Sequence, residues 1–294
     1  MGEGHRPYPL PRQPTPFPDA AQSGGRSTTC GDSRRGQAIG RRLVRPSNLP
    51  ALPVFSEDDD VGRTIIIGDL HGCFDEAVAL LDRLQVSSAD RLIFAGDLVD
   101  RGPHPRACVE LAMKYECVLG NHEEKHLQQR RRPAEKLSAD HLRTRAALDD
   151  EHYDWFSKLP LFIRLPEFGA AVVHAGCFPG VPLEQQSPHH LLHLQHINPP
   201  ATKSFWPSKA PVGHRFWTNF WTGPERIIFG HSVLDRPLIT RWAVGVDTGG
   251  VYGRGLTALV LPGWELVTVP TCDHSGGKKT VALYDVQEGV KAFS

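Results

Sequence analysis

Short apolar runs that stop at a glycine and a polar residue recur along this chain, and no other feature narrows its fold as much. Thr64-Ile65-Ile66-Ile67 stops at Gly68-Asp69, Arg91-Leu92-Ile93-Phe94-Ala95 at Gly96-Asp97, and Glu116-Cys117-Val118-Leu119 at Gly120-Asn121. Continuous runs this short read as buried strands. Helical patterns separate them: Phe74 to Leu84, with Ala77, Leu80, Leu81 and Leu84 on one face, and Pro105 to Tyr115. Strand, helix, strand, helix, strand predicts an α/β layered domain, in which ligands bind beyond the carboxyl ends of the strands.

The second half returns to strands. Ala170 to Val173 stops at His174, Arg226 to Phe229 at Gly230-His231, and Trp242 to Val246 at Asp247. Leu256 to Leu261 and Glu265 to Val269 flank Pro262-Gly263, the pattern of a hairpin. Between the halves, about Glu123 to Lys158 is charged and reads as a solvated helical cap with an amphipathic inner face. Residues 1–60 carry recurrent prolines (Pro7, Pro9, Pro11, Pro14, Pro16, Pro18) and the pairs Arg34-Arg35 and Arg41-Arg42. Such a stretch buries too little apolar surface to offset its ordering entropy and is expected to be disordered, a Pro-rich ligand for an adaptor domain being the alternative. The folded domain is expected over 61–270. A tail follows over 271–294, with one last short strand pattern at Thr280 to Tyr284.

Composition sets limits rather than a function. In 294 residues, Lys+Arg and Asp+Glu are equal at 33, so no net field favours nucleic acid or an anionic membrane. Arg130-Arg131-Arg132 leaves a local nucleic-acid patch as a competing reading. The six cysteines form no CxxC pair and read as reduced thiols of an intracellular compartment. No apolar signal segment, membrane-length run or myristoylation pattern (Arg6 stands where Ser or Thr is needed) is evident. The expected location is the cytoplasm, with an organelle transit peptide in the Arg-containing N-terminal segment as the alternative.

The polar strand ends matter as a set. Asp69 with His71, Asp97, Asn121 with His122, His174 and His231 are carboxylate, imidazole and amide groups, each delivered beside a glycine. Two cations held roughly 3.5–4 Å apart need a bridging carboxylate, and such a pair clamps a phosphate and acidifies a water. Neutral imidazoles suit borderline metals, and an amide oxygen adds a ligand without more negative charge near a phosphate.

Gly68-Asp69-Leu70-His71-Gly72, Gly96-Asp97-Leu98-Val99-Asp100-Arg101-Gly102, Gly120-Asn121-His122-Glu123, His174-Ala175-Gly176 and Gly230-His231 occur in this order. Together they resemble the signature blocks of calcineurin-like metallophosphoesterases of the phosphoprotein-phosphatase superfamily. Trp221-Thr222-Gly223-Pro224 and Val246-Asp247-Thr248-Gly249 are similar to the bacterial-type, diadenosine-tetraphosphatase-like branch. The resemblance covers about Arg63 to Pro270. It implies a four-layer α/β sandwich, two central mixed β-sheets flanked by helices, with metals at their edge. It also implies a phosphohydrolase using metal-bound hydroxide on a phosphomonoester or phosphoanhydride. Asp69 and His71 would bind the first metal, Asp97 would bridge, and Asn121, His174 and His231 would bind the second. Manganese is the first expectation, with iron, zinc, cobalt and magnesium as alternatives. His122 would be the general acid, Asp100 would hold its imidazole, and Arg101 would grip the phosphate. Asn121 and Arg215 are further substrate-binding candidates. Arg215 or Arg143 would supply a second guanidinium, since Gln195 stands where relatives often carry an Arg.

The implied substrate is a phosphorylated small molecule, nucleotide, polyphosphate or phosphoprotein, without a membrane or an obligatory nucleic-acid partner. Serine/threonine-phosphatase-like and diadenosine-tetraphosphatase-like activities lead. Endopolyphosphatase, RNA-cap hydrolase and a catalytically silent metal-binding interaction module are the alternatives. Asp247-Thr248-Gly249 is read as supporting the ligands from behind. Phe205, Trp206, Phe216, Trp217, Phe220 and Trp221 are read as core or lid packing, with base stacking as the alternative. His189, His190, His193 and His196 are read as an exposed His-rich helix, with an extra metal site as the alternative.

Overall fold

The computed structural model describes residues 62–277. The N-terminal stretch expected to be disordered and the strand expected at Thr280 to Tyr284 lie outside them. Two five-stranded mixed sheets form the centre. In the first, β1 (Thr64–Ile67), β2 (Arg91–Phe94) and β3 (Glu116–Cys117) run parallel. The hairpin of β12 (Leu256–Leu261) and β13 (Glu265–Val269) adds to β1 antiparallel, with Ile66 opposite Leu259. In the second, β5 (Ala170–Val173), β9 (Arg226–Phe229) and β11 (Ala243–Gly245) run parallel. Antiparallel edge strands β4 (Phe162–Leu165) and β10 (Leu238–Ile239) close its sides.

Alternation along each strand assembles the layers. Ile66, Ile93, Val172, Ile228, Val244 and Leu259 point between the two sheets and form one buried core. Ile65, Ile67, Leu92 and Phe94 point the other way, under helices α1 (Phe74–Arg83), α2 (Pro105–Ala112) and α5 (Asp150–Phe156). Ala171, Val173, Ile227 and Phe229 face outward from the second sheet and are covered by Trp217, Leu191 and Leu194. Both faces of both sheets are therefore dry, which is why the strands read as unbroken apolar runs.

Helices α3 (Asn121–Gln129), α4 (Ala139–Ala147) and α5 supply the charged cap expected between the halves. Besides the short edge strand β10, two elements are additional to the sequence reading. One is edge strand β4. The other is a small sheet of β6 (His196–Asn198), β7 (Ala201–Phe205) and β8 (Arg215–Phe216), which follows α6 (Pro188–His193) and lies in the chain between β5 and β9. His196 thus belongs to a strand, and only His189, His190 and His193 share the short helix. No helix among the described residues is long and apolar enough to cross a membrane.

Ile66 is fully buried at the centre of the inter-sheet core. Ile66→Ala is expected to lower unfolding stability by about 2–5 kcal/mol, read as a lower urea midpoint at unchanged slope.

Candidate active site

Every parallel strand of the two sheets ends at the same rim. Asp69 follows β1, Asp97 follows β2, Asn121 opens α3 just beyond β3, His174 follows β5, His231 follows β9 and Asp247 follows β11. Tight local backbone brings them in. His71, Asp97, Asp100, Arg101 and His231 all hold left-handed φ, between 45° and 66°, which non-glycine residues rarely adopt. The glycines admit close approach: a Cβ on Gly230 would sit 2.0 Å from Asp69 Oδ1, and one on Gly120 2.2 Å from the Asp97 nitrogen.

Asp97 is the hub. Its Oδ1 lies 3.3 Å from His174 Nε2, and its Oδ2 lies 3.5 Å from His71 Nε2. Two groups of ligand-type atoms therefore share this carboxylate, one with His71 and His122 and one with His174 and His231. His174 Nδ1 donates to the Ala95 carbonyl at 2.8 Å, and His71 Nδ1 donates to that of Val99 at 2.8 Å. A carbonyl only accepts, so in the neutral rings Nε2 carries a lone pair turned into the site. Burial keeps those rings neutral by holding the imidazoles of His71, His174 and His231 below their ordinary range.

The His174 lone pair consequently faces two oxygens, Asn121 Oδ1 at 2.9 Å and Asp97 Oδ1 at 3.3 Å. His231 Nδ1 approaches the same Asn121 oxygen at 2.8 Å. Electron-pair donors that converge without a proton to share repel one another, and a cation among them makes each a ligand. Two of the three buried carboxyl groups point the same way. Burial, with Asp247 and Asp97 alongside, pushes the Asp69 carboxyl well above its usual range, and burial holds Asp247 up at about 6. These residues fit a pair of divalent ions.

Beside them stands a dyad. His122 Nδ1 is 2.7 Å from Asp100 Oδ2, and its Nε2 is 3.2 Å from Arg101 Nη2. Asp100 Oδ1 accepts from His126 Nε2 and Thr144 Oγ1, each at 2.8 Å. Burial works against ionising Asp100, yet the hydrogen bonds from His122 and His126 outweigh it and hold the carboxyl far below the usual carboxylate range. Arg101 also touches His71 Nε2 and lies 5.5 Å from the Tyr252 ring. Arg143 donates to the Arg101 carbonyl at 2.9 Å. Both guanidiniums line a cavity of about 250 Å³ with Tyr252, His274 and Ser275.

Of the residues singled out in the sequence, Asp69, His71, Asp97, Asp100, Arg101, Asn121, His122, His174 and His231 are thus brought together. Arg215 is exposed on β8 in the small sheet, and it is Arg143 that lies beside Arg101. Gln195 is buried and points its amide away from solvent. The aromatic segment divides: Trp217, Phe216 and Trp221 are core, whereas Trp206 is 55% exposed with its ring 5.9 Å from that of His231. Sequence reasoning passed over Glu123, His126 and Thr144. Glu123 is wholly buried and accepts from the backbone nitrogens of Asp97 and Leu98 at 2.9 Å and of Gly120 at 3.2 Å. It clamps the Asp97 turn to the start of α3. Its place three residues after Gly120, closing the Gly120-Asn121-His122-Glu123 block, was the available signal.

The family model for calcineurin-like phosphoesterases matches residues 62–248. Over 234 residues the chain is 32% identical to the asymmetrical bis(5'-nucleosyl)-tetraphosphatase PrpE of Halalkalibacterium halodurans, covering 70% of this chain and 93% of that one. It is 33% identical to a symmetrical bis(5'-nucleosyl)-tetraphosphatase of Chromohalobacter salexigens, covering 70% and 97%. Among solved structures, one provisionally assigned as a diadenosine tetraphosphatase superposes with a TM-score of 0.64 at 30% identity, covering 72% of this chain and 95% of that one. The chain belongs to the calcineurin-like phosphoesterases, which makes it a metal-dependent phosphohydrolase.

Glu123→Gln sets an amide N–H₂ against backbone N–H groups. It is expected to cost about 1–3 kcal/mol of stability, seen in urea unfolding, and to weaken divalent-metal binding measured by calorimetry.

Proposed function

We propose that this protein hydrolyses dinucleoside polyphosphates of the bis(5'-nucleosyl) tetraphosphate type, using two divalent ions, with manganese the first choice. The catalytic domain in this reading spans 61–270. The observation that carries it is Asp97, whose two oxygens face imidazoles on opposite sides, as a carboxylate shared between two ions must. The substrate class is supported by kinship to tetraphosphatases of both the asymmetrical and symmetrical kinds and by the exposed indole of Trp206 beside His231.

Asp69, His71 and Asp97 would hold one ion, and Asp97, Asn121, His174 and His231 the other. The pair supplies positive charge against the phosphate oxygens and a water acidified toward neutral pH. The protein's own groups do the rest. Arg101 presents two guanidinium N–H groups to a non-bridging phosphate pair, which fixes the group in one orientation. His122, its Nδ1 proton held on Asp100, keeps Nε2 directed at the site; as the imidazolium it carries a second proton there, gives it to the departing oxygen and is left neutral. His126 and Thr144 fix the other Asp100 oxygen, so the imidazole has one orientation. Trp206 offers a face for a base, and the cavity beside Arg143 and Tyr252 offers room for phosphates beyond the one attacked.

The test is turnover by metal-stripped protein reloaded with Mn²⁺, on diadenosine tetraphosphate, a phosphoserine peptide, polyphosphate, capped RNA and p-nitrophenyl phosphate. Diadenosine tetraphosphate is expected to have the highest kcat/KM, and Asp97→Asn to abolish turnover. Preference for the peptide with no dinucleotide cleavage would overturn the substrate class. Base stacking is worth about 1–3 kcal/mol, so Trp206→Ala is expected to raise KM for the dinucleotide by about 5- to 150-fold and leave that for p-nitrophenyl phosphate unchanged. Asp100→Asn is expected to lower kcat by about 10²–10⁴ on the phosphoserine peptide, whose serine oxygen needs a proton to leave. The loss should be smaller on the dinucleotide and on p-nitrophenyl phosphate, whose phosphate and nitrophenolate leaving groups depart as weakly basic anions.

A further inference from the structure

A second set of ligand-type side chains meets where the end of the described chain crosses the start of α1. Cys73 is fully buried immediately before the helix, and Glu76 stands in its first turn. His274, 198 residues further on than Glu76, places Nε2 2.7 Å from Glu76 Oε1. The Cys73 sulfur, a Glu76 oxygen and a His274 nitrogen all lie within 4.8 Å of one another. Cys272 borders the same group. Its backbone nitrogen is 3.3 Å from Glu76 Oε1, and its thiol is near enough to Cys73 for the two charges to interact. The segment is seated there by backbone as well: Asp273 bridges to Tyr252, and the His274 nitrogen donates to the Val251 carbonyl at 2.9 Å.

We propose that Cys73, Glu76, Cys272 and His274 form a structural zinc site, separate from the strand-end ligands. Two short arms, Cys73-x-x-Glu76 and Cys272-x-His274, come from distant parts of the chain, so one ion would staple them. Thiolate, imidazole and carboxylate are zinc donors, and the sulfurs disfavour magnesium, calcium and manganese. Donors around tetrahedral zinc stand roughly 3.3–3.8 Å apart. Ion entry would therefore replace the Glu76–His274 hydrogen bond and part the two by about half an ångström, a small motion for side chains that are only partly buried. Burial, with Glu76 alongside, pushes the Cys73 thiol up, so an entering ion would displace its proton. The staple would also fix one wall of the cavity beside Arg101, since His274, Ser275 and Gly276 line it with Arg143 and Tyr252.

The strand-end ligands include no thiolate, so a sulfur-to-cobalt charge-transfer band in the near ultraviolet belongs to this second site alone. Full-length protein expressed with zinc should hold tightly bound zinc, and cobalt exchange should produce the band. Asp97→Asn should keep both. Cys272→Ser and His274→Ala should lose the band and one zinc per chain by elemental analysis, with far-ultraviolet circular dichroism unchanged. A wild-type protein with no such band, or a band and zinc content that survive both substitutions, overturns the proposal. Neither result depends on which phosphate substrate the enzyme takes.

Discussion

Buried carboxylates that repel one another set the terms for the rest of this molecule. Asp69, Asp97 and Asp247 sit almost without solvent at the rim where the two sheets meet, and Asp97 raises the proton affinity of the other two. A fold can hold such a group only by rigid scaffolding and by counter-charge. The scaffolding is the dry inter-sheet core, which leaves the strand ends no freedom to splay apart. The counter-charge comes in part from Arg101, and the remainder is what divalent ions would supply. The left-handed turns at His71, Asp97 and His231 follow from the same demand, since an ordinary turn would carry the side chains past the rim rather than into it.

Much of this was legible in the sequence because both signals are local. An unbroken apolar run such as Ile65-Ile66-Ile67 means a strand with two covered faces, and the glycine after it means that something passes close. Gly230 shows why: its missing Cβ is where Asp69 Oδ1 sits. The paired sheets came from family resemblance, since periodicity alone cannot say that Ile66 and Ile228 share one core. Non-local contacts were the harder part. His126 looks like one more charged-helix residue until Asp100, 26 positions earlier, is seen to accept its proton. Arg143 and Arg215 are equal candidates on paper, and only the packing of α4 against the Arg101 turn separates them. Strand β4, too, carries no polar ending and exposes Arg164, so it lacks the pattern that marked its neighbours.

Polar support behind the ligands is as extensive as the ligand set. Glu123 ties four backbone nitrogens of two turns, His231 donates its own backbone N–H to Asp69, and Asp247 turns back through the Gly249 nitrogen at 2.9 Å. The His231–Asp69 bond crosses from the second sheet to the first. The rim is therefore a seam between the sheets as well as a chemical site, and its rigidity and its reactivity have one source.

The β6–β7–β8 sheet enters the chain between β5 and β9, the two strands that deliver His174 and His231. It contributes Trp206 to the neighbourhood of the site and no strand-end ligand. The strand-end ligands and the exposed indole beside them thus come from different pieces of polypeptide. Evolution could redecorate the exposed turn that carries Trp206 while leaving in place Ile197 and Phe216, which pack into the core behind β5 and β9, so a lineage built on this plan is free to change its diet while keeping its teeth.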